Sequence, residues 1–250
     1  MYYQIAGTKV RLAGSMHLVP AGATIPDWVE FAYQWSEDLY LEADLADLLR
    51  HAVLPSGETA EREVPPELWA NLKTLWPADH PSGSFGPQKL WLIVMWLGTH
   101  GVPFFLGVEN YVSRRAITDA RPPFKHLETG AEFAGLMDTI PSGECVRALT
   151  ESLGSDVATR TQMIADMYEA WQSRRLDGLM EILQKSPLGR FPHVREIMFD
   201  RRNLLWLPRI IDIARTNRRT VIFVGAGHLG GSGGLPVLLR REGFECAPVP

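Results

Sequence analysis

The segment Val10-Arg-Leu-Ala-Gly-Ser-Met-His-Leu18 near one end of the chain is echoed by Val221-Ile-Phe-Val-Gly-Ala-Gly-His-Leu229 near the other. Each reads as a strand that breaks at a glycine and presents a histidine three residues later. Glycine at 14 and 225 lets the chain turn sharply and lets a bound group approach the backbone. In a mostly parallel sheet, ligands bind beyond the carboxyl ends of the strands. His17 and His228 both leave strands there, so they are expected to meet despite their distance in sequence.

The rest of the chain supplies the sheet those two strands need. Asp27 to Trp35 reads as a helix and Leu39 to Glu42 as a strand, giving a β-α-β opening. Gln88 to Gly98 reads as a helix, Phe104 to Val108 as a strand, and Tyr111 to Ala120 as a helix ended by Pro122-Pro123. After a candidate strand at Phe124 to Leu127, helical pattern covers Ala131 to Asp138, Val146 to Ser152, Arg160 to Gln184 and Val194 to Thr216. Arg219 to Val224 is a strand, followed by a helix at Leu235 to Glu242 and a closing strand at Phe244 to Val249. The expectation is an α/β fold: a mostly parallel central sheet of two related α/β halves flanked by helices, with a helix-rich second half. Residues 1–250 suit one large domain, since 46% hydrophobic and 22% charged is a globular composition. The Pro-, Gly- and Ser-bearing stretch 54–87, with a short helix near 67–75, is an irregular excursion and a candidate lid.

Composition also excludes partners. A net charge of -4 with no basic stripe argues against nucleic acid. Two cysteines, Cys145 and Cys246, build no disulfide framework or CxxC motif, which suits a reducing compartment. The N-terminal residues lack the basic-then-apolar order of a signal peptide. The most apolar run, Leu90 to Leu97, falls short of the about 20 residues a membrane span takes. A cytoplasmic protein is expected.

Imidazole ligates divalent metals or acts as a general base near neutral pH, and either role needs a carboxylate to orient or charge-balance it. Glu42 ends a strand and is the first candidate; Glu109 and Glu128 share that placement. Two histidines and a glutamate form an N/O site suited to zinc, manganese or cobalt, with a position left for water. Arg202, in Asp200-Arg-Arg-Asn203, is placed to hold a developing oxyanion. Each residue has a structural alternative: Glu42 as a helix cap or surface carboxylate, Glu109 as a helix cap, Glu128 accepting N–H bonds at a helix start, Arg202 paired with Asp200 or a carboxylate elsewhere. The run Gly230-Gly-Ser-Gly-Gly234 lacks the lysine of a phosphate-binding loop and suits an oxyanion turn beside His228. His51, His80, His100, His126 and His193 lack strand-end context.

The ordered set Gly14-Ser-Met-His17, Leu41-Glu42, Gly107-Val-Glu109 with Tyr111 and Ala116, Leu127-Glu128-Thr129, Arg202-Asn203 and Val224-Gly-Ala-Gly-His-Leu229 through Gly234-Leu235 resembles the TraB/PrgY/GumN family, which includes the Tiki proteins. These anchors span nearly the whole chain. The resemblance implies a fold similar to the erythromycin-esterase and ChaN-like group. Tiki proteins are regarded as manganese- or cobalt-dependent peptidases, and by position their essential residues fall on His17, Glu42 and His228. The expected function is a metal-dependent, peptidase-like hydrolase: His17, Glu42 and His228 at the metal, Arg202 stabilising charge, and Glu109, Tyr111, Glu128 and Asn203 toward the substrate. Other relatives inhibit peptide pheromones and ChaN-like proteins bind haem, so the alternative is a protein that sequesters a peptide or haem in the same cleft.

Overall fold

Thr220–Gly225 is an uninterrupted run, Thr-Val-Ile-Phe-Val-Gly, and every residue of it is buried. Such a run suits a strand covered on both faces. The computed structural model, which describes residues 1–75, 85–186 and 189–250, places it in the middle of the sheet. The strands are β1 (Tyr2–Ile5), β2 (Val10–Ser15), β3 (Leu18–Pro20), β4 (Asp38–Leu41), β5 (Phe104–Leu106), β6 (Lys125–His126), β7 (Thr220–Gly225) and β8 (Cys246–Pro248). Six form one sheet in the order β6-β4-β7-β2-β1-β8. From β6 to β2 the neighbours run parallel; β1 and β8 add antiparallel at one edge. This is the α/β architecture with a mostly parallel sheet that the sequence pattern predicts.

The helices are α1 (Asp27–Trp35), α2 (Leu45–His51), α3 (Pro66–Leu75), α4 (Leu90–Leu97), α5 (Val108–Thr118), α6 (Gly130–Met137), α7 (Ser142–Gly154), α8 (Val157–Gln172), α9 (Leu176–Lys185), α10 (Pro192–Arg195), α11 (Arg202–Ala214) and α12 (Leu235–Arg241). A π turn, Glu196–Arg201, joins α10 to α11. Buried apolar side chains fall into two clusters. One surrounds the sheet, with Trp28, Trp171, Trp206 and Phe223 at its centre. The other lies among α2, α3, α4, α6 and α7, with Trp69, Leu72, Trp91 and Leu149. Among the described residues no helix is long and apolar enough to cross a membrane, and Leu90–Leu97 is a buried helix of the second cluster.

Some elements differ from expectation. Phe104–Leu106 is a strand, but it pairs antiparallel with β3 in a separate two-stranded ribbon and does not join the sheet. The following helix starts at Val108, earlier than expected, so Glu109 lies in its first turn. The single helix expected over 160–184 is two, because Arg174 turns to φ 57° between α8 and α9. Within the excursion expected as a lid, Val64, Trp69 and Leu72 pack into the second cluster. Its two ends are drawn together, Leu54 N donating to Pro87 O at 2.7 Å; residues 76–84 of that stretch lie outside the described residues.

α6 opens with a capping box: Thr129 accepts from Glu132 N while Glu132 accepts from Thr129 N. Arg209 also donates to Glu132 at 2.5 Å, and this bond is the main reason the Glu132 carboxyl is held down at about 2 from 4.5. A depressed carboxylate contributes stability that is full above its ordinary value and lost as pH falls toward the depressed one. Both side chains are more than two-fifths exposed, so solvent screens most of the effect and about 1 kcal/mol remains. Glu132→Gln is therefore expected to lower Tm by a few degrees at pH 7 and to match the parent near pH 2 in thermal scans; an equal deficit at both pH values would contradict this assignment.

Candidate functional site

The two echoed strands are immediate neighbours. β2 and β7 pair in parallel, with Gly14 opposite Val224 and Ser15 opposite Gly225. Both Gly-x-x-His turns therefore leave the sheet side by side. They do so into different surroundings: the side chain of His17 is 56% exposed, that of His228 only 2%.

His17 is held from outside the sheet. Immediately after it, β3 pairs with β5, and Gly107 N donates to His17 O at 2.7 Å while Val108 N donates to Met16 O at 3.1 Å. A Cβ at Gly107 would lie 1.8 Å from Met16 O, so only glycine permits this approach. The approach brings the first turn of α5 against the His17 turn, where Glu109 Oε1 sits 3.0 Å from His17 Nδ1 and also accepts from Ser15 Oγ. The His17 ring is thereby fixed through Nδ1, leaving Nε2 on the cleft side.

His228 is held by a buried clamp. β4 and β6 extend their pairing by Glu128 N donating to Glu42 O at 2.9 Å, which aligns the two carboxylates. Arg202 lies between them: Nη2 donates to Glu42 Oε2 at 2.7 Å and to Glu128 Oε1 at 2.5 Å, Nε to Glu128 Oε1 at 2.9 Å, and Nη1 to Met198 O and toward His228 Nε2, both at 3.3 Å. Trp206 Nε1 takes the second Glu128 oxygen at 3.1 Å. The next residue, Asn203, donates Nδ2 to His228 O and Gly233 O, so its Oδ1 must face His228 Nδ1, 2.8 Å away. That orientation makes Nδ1 the protonated nitrogen and leaves a lone pair on Nε2.

Opposite protonation states follow. The Glu109 carboxylate raises His17 to about 9 against the opposing effect of desolvation. Burial, reinforced by Arg202, lowers His228 to about 3. Glu42 is penalised by burial, yet Arg202, the cationic His17 and the Gly225 N–H hold it well below the usual carboxylate range. Glu128, more deeply enclosed, is raised by desolvation despite Arg202. Titratable groups driven apart in this way occur in acid–base sites and in structural ion-pair networks alike.

A cleft of about 650 Å³ is bordered by His17, Arg202, Gly225 and His228, with Trp171, Leu179 and Phe199 among its apolar walls. Gly225 is the pivot. A Cβ there would stand 3.1 Å from His17 Nε2, 3.2 Å from Glu42 Oε1 and 3.6 Å from His228 Cδ2. The backbone at Gly225 has φ -49°, so it is the close approach and not the turn that calls for glycine. Those three donors are the kind a manganese, cobalt or zinc ion takes, and three carboxylates facing one arginine and one cationic histidine leave negative charge over. Their kind fits a divalent ion. In this arrangement, however, Arg202 lies against both Glu42 and His228 Nε2, and among the described residues no three His, Cys, Asp or Glu side chains are gathered closely enough to share one. Gly225→Ala is expected to keep the fold, since the clashing atoms are side-chain ends, but to weaken ligand or metal binding at the site by about tenfold; calorimetry showing unchanged binding would argue against the pivot.

The structure thus brings together His17, Glu42, Glu109, Glu128, Arg202, Asn203 and His228. Glu128, 3% exposed with both oxygens engaged, and Asn203, 1% exposed, both expected toward the substrate, are not among the residues that line the cleft. Arg202 forms the ion pair that is its structural alternative, with the more distant carboxylates Glu42 and Glu128 and not with Asp200, and its donors are engaged by the protein. Tyr111 is elsewhere: its hydroxyl donates to Glu30 at 2.7 Å beside a separate groove with Val19 and Phe105. The 230–234 glycines, expected as an oxyanion turn, instead offer Gly233 O to Asn203. Ser15 and Trp206 are the site residues sequence reasoning missed. Ser15 lies inside the first Gly-x-x-His turn, and Trp206 follows Arg202 by one helical turn, which is the signal that points to it.

The model of one protein family, described as TraB/PrgY/gumN, matches residues 4–248. Comparison with curated proteins and with solved structures gives no significant match. With the match running from β1 to β8 and taking in every residue of the clamp, the chain belongs to the TraB/PrgY/gumN family.

Proposed function

We propose that this chain is a hydrolase that adds water across a carbonyl-type bond, foremost a peptide bond, in the cleft bordered by His17, Arg202 and His228. One observation carries the reading: two histidines from matching turns are held in opposite protonation states around a single carboxylate, Glu42, at one end of a cleft. In the absence of a metal, His17 gives or takes a proton at Nε2, with Glu109 fixing its ring through Nδ1. His228 keeps its Nε2 lone pair, and Arg202 keeps Glu42 ionised beside it. Were a manganese, cobalt or zinc ion held by His17, Glu42 and His228 instead, His17 would give up its Nε2 proton to the solvent, and the ion would polarise the carbonyl and lower the pKa of water. The two free thiols accord with a reducing, cytoplasmic setting.

A peptide mixture incubated with the purified chain, metal-stripped and then supplied with manganese, cobalt or zinc, tests the proposal by mass spectrometry. Fragments are expected from the wild type and not from His17→Ala or His228→Ala of unchanged Tm. The apolar walls of the cleft favour a second reading, a protein that holds peptides without cutting them. Peptides recovered bound and intact under every metal condition would establish that reading over the first.

A further inference from the structure

The same cleft is also bordered by Arg160 and Lys185. Arg160 is only 6% exposed. Its guanidinium meets backbone carbonyls alone: Nη1 donates to Ser152 O at 3.1 Å and to Ser155 O, and Nη2 donates to His100 O at 3.1 Å. Its Nε–H is sealed from solvent with no acceptor. Among the described residues, no carboxylate stands within ion-pairing distance of Arg160 or of Lys185; Glu151, which also borders the cleft, is engaged by Arg190 at 3.4 Å. An arginine is always charged, and a buried one is normally paired with an anion. The three carbonyls close the ends of neighbouring helices and explain the burial of Arg160; its charge is felt by Asp156, the N-cap of the same helix, without an ion pair between them.

The wall between the two ends is apolar, with Met163, Met167, Leu179 and Leu183. Arg160 and Trp171 both lie on α8, and Trp171 Nε1 donates to Gly14 O at 2.7 Å, just before the His17 turn. Along the helix that is roughly three turns, about 16 Å. An extended peptide advances about 3.3–3.6 Å per residue, so about four or five residues cover the span.

We propose that Arg160, with Lys185, holds the C-terminal carboxylate of a short apolar peptide whose other end lies at the His17 and His228 turns. The proposal rests on the hydrolase reading for what happens to that peptide, though not for its binding. It makes the chain selective for short peptides with a free terminus over internal segments of long chains. Arginine and a terminal carboxylate form a charge-assisted pair that an amide cannot replace. The unbranched, polarisable methionines adapt to varied apolar side chains without choosing among them.

The test needs binding and no turnover. N-acetyl-Leu-Met-Met-Leu with a free carboxylate and its C-terminal amide are titrated into the wild-type chain, stripped of metal, by calorimetry. The carboxylate is expected to bind about tenfold or more tightly, and the preference should vanish in Arg160→Gln and shrink in Lys185→Ala. Should Arg160→Gln not fold, Arg160→Lys, which keeps the charge and loses the planar fork, is expected to reduce the preference without abolishing it. Equal affinities for the two peptides, no measurable binding of either at millimolar concentration, or a preference untouched by a folded Arg160 variant would overturn the proposal. Absence of cleavage in parallel samples would bear on the hydrolase reading alone.

Discussion

Arg202→Met is expected to lower the stability of this chain by about 3–5 kcal/mol, the range for removing one partner of a buried ion group. The arginine is 4% exposed and lies between Glu42 and Glu128, whose side chains are 11% and 2% exposed. Without it, two nearly buried carboxylates face each other, and His228 Nε2 loses its donor. For a chain of this size the expected fall in Tm is about 10–15 °C. Glu128→Gln in the same background should restore part of the loss, because it removes one of the two orphaned charges. Lysine should not restore it, since one ammonium cannot serve Glu42, Glu128 and His228 from a single point as the guanidinium does. Thermal unfolding of the single and double variants decides the matter: an Arg202→Met protein as stable as the parent would mean the clamp does not hold the site.

The second large effect concerns Glu109. Glu109→Gln removes the carboxylate that raises His17 to about 9. On the hydrolase reading, turnover at neutral pH should fall by about 100-fold or more, because the ring loses both its orientation and its electrostatic partner. Stability supplies a check that needs no substrate. A histidine whose folded pKa lies above its unfolded value stabilises the fold fully below about 6.5, and that contribution is lost as pH rises to about 9. The metal-free parent should therefore lose stability across that window. His17 is half exposed, so about 1 kcal/mol is the expected size after solvent screening. The Glu109→Gln protein should be nearly flat over the same window, and parallel curves for the two proteins would show that the pair contributes nothing.

Much of this site could be read from the sequence, for a physical reason. Strand periodicity and glycine breaks are local signals, so β2, β7 and their two histidines stand out, and the register of a parallel pair then places them together. Glu42 and Glu128 could be found the same way, as residues just past apolar strands. What the sequence hid depends on contacts between elements. Glu109 reads as a strand-end carboxylate, but it reaches His17 because β5 leaves the sheet to pair with β3. Arg202 and Asn203, adjacent in sequence, both face inward after the π turn at Glu196–Arg201, a local widening that no apolar periodicity announces. The sequence echo also suggests equal roles for the histidines, whereas one is open and cationic and the other enclosed and neutral. Tyr111 enters the expected site only as one of the anchors of the family resemblance; on the helix its hydroxyl bonds Glu30 instead.

The central position of β7 bears on how the chain is made. During synthesis β2 and β4 emerge long before the strand that must separate them, and both wait with an unpaired edge until residues 220–225 arrive. Contacts this distant in sequence form slowly, and open strand edges invite wrong partners in the interval. Gly225 and His228 arrive with that strand, so a nascent chain has no assembled cleft. Any cutting activity the cleft has is withheld until residues 220–228 have been made.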